Sequence, residues 1–238
     1  MSDHVILDRN THRDLRVQTA AGEEYGDAVM SALVVPEEFR QVQAYYPIVF
    51  RKDLERGAFA ALALFGFEKG ENLYLDGNQW DARYKPLAAA IKPFLVGRAA
   101  DGEAPGQVHI DMRHPRVTAG EGIRVFDDHG QPTPYLEDMA EKLGRLDAGY
   151  RASVDFFAAL ERHELLEPFA LEVTLDNSET NRLVGFHIID EARLRGLDKD
   201  ALGELHGEGH LMPLFMALAS LSHLTALVDR KNRKHAGG

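Results

Sequence analysis

The chain has 238 residues, with 27 lysines and arginines against 38 aspartates and glutamates, for a formal net charge of −11. So acidic a chain repels a phosphate backbone, which excludes generic nucleic-acid binding, and it is expected to stay off anionic membrane surfaces as well. Hydrophobic residues at 45% exclude a disordered chain, and the absence of cysteine excludes disulfides, thiolate metal sites and cysteine nucleophiles.

In chain order, Val5-Ile6-Leu7 reads as a short strand and Ser31 to Val35 as a second. Pro36 opens a helix, because proline suits the first turn and Glu37 and Glu38 complement the positive helix end. Tyr46-Pro47 stops it, since the residue before a proline is pushed out of the helical region. Ile48 to Phe50 and the apolar run Ala58 to Phe67 read as buried strands, the second flanked by Gly57 and Gly66. Leu73 to Leu75 and Gln79 to Tyr84 read as strands around an Asp76-Gly77 turn. Pro86 to Lys92 is a short helix. Phe94 to Val96, Val108 to Met112 and Ile123 to Phe126 are further strands.

Then the period changes. Leu136, Met139, Leu143, Leu146, Tyr150, Val154, Phe157 and Leu160 recur every three or four residues, which predicts one long amphipathic helix. Thr133 is its N-cap and Pro134 its first residue. Leu166-Glu167-Pro168 closes it. Phe169 to Leu175 alternates as a strand, a loop covers 177–181, and Leu183 to Ile189 pairs back. Asp190 caps a short helix and Lys199 to Leu205 forms another. A last helix runs from Met212 to about Arg230, with Leu214, Phe215, Leu218, Leu221, Leu224 and Val228 on its apolar stripe.

The pattern predicts a single α+β domain over 1–238, with a weak point of subdivision near 97–122. Its N-terminal half is strand-rich, with an antiparallel or mixed sheet, and two long C-terminal amphipathic helices cover it. No uninterrupted apolar run approaches the roughly 20 residues that cross a bilayer. The longest, Ala58 to Phe67, is about half that length. The first residues have no basic start and no long apolar stretch, so the expected location is the cytoplasm, without membrane insertion.

Two patterns carry chemistry. His109-Ile110-Asp111 on a strand puts imidazole and carboxylate on one face, the spacing of an iron(II) facial triad. His187, on a later strand, would complete it, with Arg193 or Arg195 meeting a carboxylate co-substrate. Against this, eleven histidines make one His-x-Asp by chance unsurprising. His206 and His210 are four apart, but the glycines between them argue for a polar loop, not a metal-binding helix. There is no phosphate-binding glycine loop and no nucleophile elbow. Ser220, Ser222 and His223 sit at helix positions that do not face one another. The aromatic group around Tyr45, Tyr46, Trp80 and Tyr84 suits either a core or a recognition surface for a polypeptide.

Several stretches taken together resemble the SapC family of bacterial proteins. They are Val35-Pro-Glu-Glu-Phe39 with Tyr46-Pro-Ile-Val-Phe50, Gly70-Glu-Asn-Leu-Tyr-Leu75, Trp80-Asp-Ala-Arg-Tyr84, Lys92-Pro-Phe94, Val125-Phe-Asp-Asp-His-Gly-Gln-Pro-Thr-Pro-Tyr135, Leu165-Leu-Glu-Pro168, Gly185-Phe-His-Ile-Ile-Asp-Glu191 and Leu218-Ala-Ser-Leu221. The resemblance implies a role in bacterial surface, S-layer-linked or receptor-linked physiology. It supplies no catalytic residue. The expectation is therefore a non-catalytic accessory protein that binds a protein or peptide, through residues such as Tyr46, Trp80 and Tyr84. The alternatives are an iron(II) oxygenase-like enzyme using His109, Asp111 and His187, and an S-layer structural component.

Overall fold

The computed structural model describes residues 3–53, 57–97 and 106–236. Strands β1 (His4–Ile6), β2 (Arg16–Val17) and β3 (Ser31–Val34) come first. One 3-10 turn at Glu23–Tyr25 precedes β3 and another at Pro36–Glu38 leads into α1 (Phe39–Val42), then β4 (Ile48–Lys52) and β5 (Phe59–Leu64). A small hairpin, β6 (Leu75–Asp76) and β7 (Gln79–Trp80), precedes α2 (Leu87–Ala90), β8 (Phe94–Gly97) and β9 (Gln107–Asp111). Two-residue strands β10 (Val117–Thr118) and β11 (Ile123–Arg124) lead to the long helix α3 (Pro134–Arg162). Then follow β12 (Leu166–Thr174), β13 (Thr180–Ile189), α4 (Glu191–Arg195), α5 (Lys199–Gly207), α6 (Leu211–Ser220) and α7 (His223–Ala236). The class is α+β, with sheets concentrated in the N-terminal half and long helices toward the C-terminus.

The chain forms two compact units. The first comprises Met1–Ala28, Leu75–Asp81 and Leu87–Ala148. The weak break foreseen near 97–122 falls inside it, and 98–105 lie outside the described residues. Strands β1, β9 and β8 form one antiparallel sheet, with β9 central, and β10, β2 and β11 form another. Leu15, Val17, Phe94, Ile110, Val125 and Leu136 meet in its core. A buried ion pair ties its loops: Arg116 Nη2 donates to Asp27 Oδ2 at 2.6 Å, and Nη1 donates to the carbonyls of Gln18 and Ala20 at 2.7 and 2.8 Å. Three donors of that guanidinium are thus aimed at oxygens, which offsets the cost of holding its charge away from water.

The second unit comprises Val29–Tyr74, Ala82–Pro86 and Gly149–Gly238. Its five-stranded antiparallel sheet has the order β12-β13-β4-β5-β3. Beta-branched and aromatic residues of β4 and the alanine-leucine run of β5 fill the middle, where both faces are covered; Val49, Phe50, Ala61, Ala63 and Leu64 are all buried. Tyr46, Phe65 and Tyr74 interlock with ring centroids 4.6 to 6.2 Å apart, and Phe39 meets Phe156 edge-on at 6.0 Å. Segments that carry the family resemblance thus supply much of this core: Glu38–Phe39, Tyr46–Pro47, Leu73–Tyr74 and Ser220.

Three expectations change. First, the apolar stripe of α3 does not run through Tyr150 and Val154, which are 49% and 63% exposed. The buried face passes instead through Gly149, Ser153 and Phe156. Small residues are required there, because a Cβ on Gly149 would stand 2.7 Å from Val35 Cγ2. Second, the last helix is two helices. Ser220 Oγ donates back to the Ala217 carbonyl at 2.6 Å, and Ser222 Oγ to that of Ala219 at 2.9 Å. Such back-bonding competes with the helical ladder, and the chain turns at Leu221–Ser222. Phe215, placed on the buried stripe by periodicity, is 51% exposed. By length and composition alone the stretch Leu211–Ala236 would suffice to cross a membrane, but it is divided into α6 and α7 at Leu221–Ser222. Leu214, Met216, Ala217 and Ser220 of α6 are buried. Third, the strands expected at 73–75 and 79–84 shrink to the two-residue β6 and β7.

Candidate functional site

The five-stranded sheet has two edges with different chemistry. At one edge β12 carries Pro168, which has no N–H to offer, the charged Glu167 and Glu172, and a break in register between Phe169 and Leu171. These are the devices by which a sheet prevents another strand from joining it. At the opposite edge β3 has none of them. Its sequence is Ser-Ala-Leu-Val, and its register against β5 is regular: Ser31 faces Leu64, Ala32 Ala63, Leu33 Leu62 and Val34 Ala61. In an antiparallel pair the backbone groups of alternate residues point away from the partner. Among the described residues, Ser31 to Val34 make no hydrogen bond beyond β5.

A cleft of about 210 Å³ opens beside this edge. Leu33, Val34, Phe59, Ala61, Tyr150 and Phe157 line it, with Ser153 also facing it. It is smaller and more enclosed than the 430 Å³ groove of the first unit along Ile6, Leu7, Val108, Phe126 and Leu136. Its volume lies below the roughly 300–1,000 Å³ of small-molecule sites and suits a single apolar side chain. The exposed Tyr150 ring stands at its rim, and Lys52 Nζ lies 5.0 Å from the centroid of Phe59. A second cleft, of about 300 Å³, is lined by Pro36, Glu37, Ser153, Phe156, Glu208 and His210. The two share Ser153, and Val35 and Pro36 follow directly on β3, so they neighbour one another along the same stretch of chain.

The residues singled out from the sequence lie elsewhere. Tyr46 is fully buried, and its hydroxyl donates to the Tyr84 carbonyl at 2.5 Å. The Tyr84 hydroxyl donates to Glu38 Oε2 at 2.7 Å, while Glu38 Oε1 accepts from the Val35 N–H at 3.1 Å, the half of a capping box that reaches back to the helix start. Tyr46 and Tyr84 are therefore internal ties that hold the segment running out of β3. Trp80 is half-buried on β7 in the first unit.

His109 and Asp111 share a face of β9 in the first unit, opposite the fully buried Ile110, and His187 lies on β13 in the second. The Asp111 carboxylate accepts from the backbone N–H of Asp3 at 2.9 Å and of Arg113 at 3.1 Å, and these bonds hold it below the ordinary carboxylate range. The His109 ring packs where a Cβ on Gly97 would stand. His187 meets Phe59 edge-on at 5.0 Å, and burial, then the charge of Lys52, push it below the ordinary histidine value. Among the described residues no group of three or more His, Asp or Glu side chains is placed to hold a metal ion. The polar loop expected over His206–His210 shrinks to Glu208–His210, because α5 runs through His206 and Gly207 despite the glycine.

The SapC family model matches residues 7–227. The protein belongs to the SapC family. No curated protein and no solved structure matches the chain. The edge of β3 escaped the sequence reading because edge position follows from topology. The one signal available was the lack of charge, proline or irregularity in Ser31 to Val34.

Proposed function

We propose that this SapC protein is a non-catalytic accessory protein that binds an extended polypeptide by strand addition at β3. The observation that carries the reading is the contrast between the two sheet edges: β12 is defended by proline, charge and a bulge, and β3 is undefended beside an apolar cleft. In strand addition, backbone hydrogen bonds supply affinity, and pockets for alternate side chains supply selectivity. The incoming strand would pair with the outward groups of Ser31 to Val34. One of its apolar side chains would enter the cleft against Phe59 and Phe157. The proposal places the protein in bacterial surface or receptor-linked physiology, as the SapC resemblance implies, with a protein or an extended segment of one as the partner.

Panning a displayed random dodecapeptide library on the purified protein tests this. Peptides with a central apolar, β-prone stretch should be enriched, and a fluorescein-labelled member should bind in a polarisation assay. Ala58 is exposed at the mouth of the cleft, so Ala58→Trp fills it without entering the core. That variant should lose binding by about tenfold or more, as expected when one buried side-chain anchor is blocked. Enrichment of no peptide, or equal binding by Ala58→Trp, would sink the reading.

A further inference from the structure

We infer that the polypeptide recognised at β3 carries a basic side chain close to its apolar anchor, received by the second cleft between Glu37 and Glu208. The inference rests on the strand-addition reading and adds the charge of the partner. Glu37 is exposed, just past the end of β3, and among the described residues it meets no lysine or arginine. Glu208 stands across the same cleft. Its charged-group contact is His210, whose Nε2 lies 3.3 Å from Glu208 Oε2 but out of hydrogen-bond alignment.

His210 is itself about nine-tenths buried, lines this cleft, and has its Nε2 in no hydrogen bond. A buried ring nitrogen that makes no hydrogen bond, beside the Glu208 carboxylate and on a residue that lines the cleft, marks a place where a further polar group completes the arrangement. Two carboxylates without a compensating cation, on a chain of net charge −11, select a positive group over a neutral or negative one. Phe156 meets the His210 ring edge-on at 5.6 Å and, with Pro36 and Pro213, gives the cleft apolar walls. Such walls suit the methylene stem of lysine or arginine while its head reaches the carboxylates.

The first readout is composition. Peptides enriched on the native protein should carry Lys or Arg within a few positions of the apolar anchor, and Asp or Glu should be depleted there. The second is a pair of labelled peptides identical except for that Lys against Ser. The Lys form should bind the native protein several-fold more tightly, and Glu37→Gln or Glu208→Gln should each reduce that advantage by about three- to fivefold, the scale of exposed ion pairs. Both glutamates are exposed, so the variants should keep the native far-UV circular dichroism spectrum. If Lys and Ser peptides bind equally, or the glutamine variants leave the difference intact, the basic-partner inference falls and strand addition stands. If no peptide is enriched, or Ala58→Trp binds every peptide normally, both fall together.

Discussion

Two glycines in one helix should respond oppositely to the same substitution. Gly144 and Gly149 both lie inside α3, and alanine is favoured over glycine in a helix interior by about 1 kcal/mol. At Gly144 a Cβ would meet nothing within 4 Å, so Gly144→Ala should gain close to that full amount. At Gly149 the Cβ would stand 2.7 Å from Val35 Cγ2 and 3.0 Å from Val35 Cβ. Val35 is 1% exposed and β-branched, so it cannot turn aside cheaply. Overpacking of this kind costs about 1–3 kcal/mol, which cancels or exceeds the helical gain. The two variants should therefore differ by about 1–3 kcal/mol, or several degrees in Tm at about 2–4 °C per kcal/mol for a chain of this size. Urea denaturation followed by circular dichroism measures the difference. If Gly149→Ala stabilises as much as Gly144→Ala, α3 does not approach Val35 at the end of β3 as closely as this contact requires.

Other outcomes follow from the buried polar groups. Arg116→Ala leaves Asp27 charged and buried and should cost about 3–5 kcal/mol in the same denaturation assay; a loss below about 1 kcal/mol would show that water reaches the pair. Ser220 Oγ accepts from the Ile48 N–H at 2.8 Å deep in the second unit, so Ser220→Ala should cost about 1–3 kcal/mol by orphaning that donor, and a neutral result would contradict the contact. Backbone hydrogen bonds, from Thr11 to Asp8, from Asp3 to Asp111 and from Gln131 to Asp127, hold these carboxylates below their ordinary values. A carboxylate depressed in the folded state contributes stability above its unfolded value and loses it as pH falls through the folded one. Thermal stability should therefore decline through these carboxylates below about pH 4, and His187, lowered in the folded state by burial, should add an earlier decline as pH falls below about 6.5, where the unfolded chain takes up its proton first. A midpoint that stays level from pH 7 down to pH 5 would contradict the burial of His187.

Hydrophobic period made the main elements legible. The runs at Ile48–Phe50, Ala58–Phe67, Phe94–Val96 and Val108–Met112 each hold a strand, and Thr133 caps α3 as its chemistry demands, with Oγ1 accepting from Leu136 N–H at 3.4 Å. What period does not encode is the size of the neighbour. The buried face of α3 slides onto Gly149 and Ser153 because Val35 presses there, and no count of apolar residues reveals that. The Arg116–Asp27 pair joins residues 89 apart, and each reads alone as a surface charge. Tyr46 and Tyr84 looked like recognition aromatics because composition shows the ring but not the hydroxyl's partner. Whether β3 or β5 lies at the sheet edge depends on strand order, which the alternation of apolar residues leaves open.

Amide hydrogen exchange across β3 tests the central claim most directly. With a display-selected peptide bound, the outward-facing amides among Ser31 to Val34 should exchange markedly more slowly, while those on the defended edge of β12 stay unchanged. Unaltered exchange at β3 in a saturated complex, with protection appearing elsewhere, would contradict strand addition at this edge.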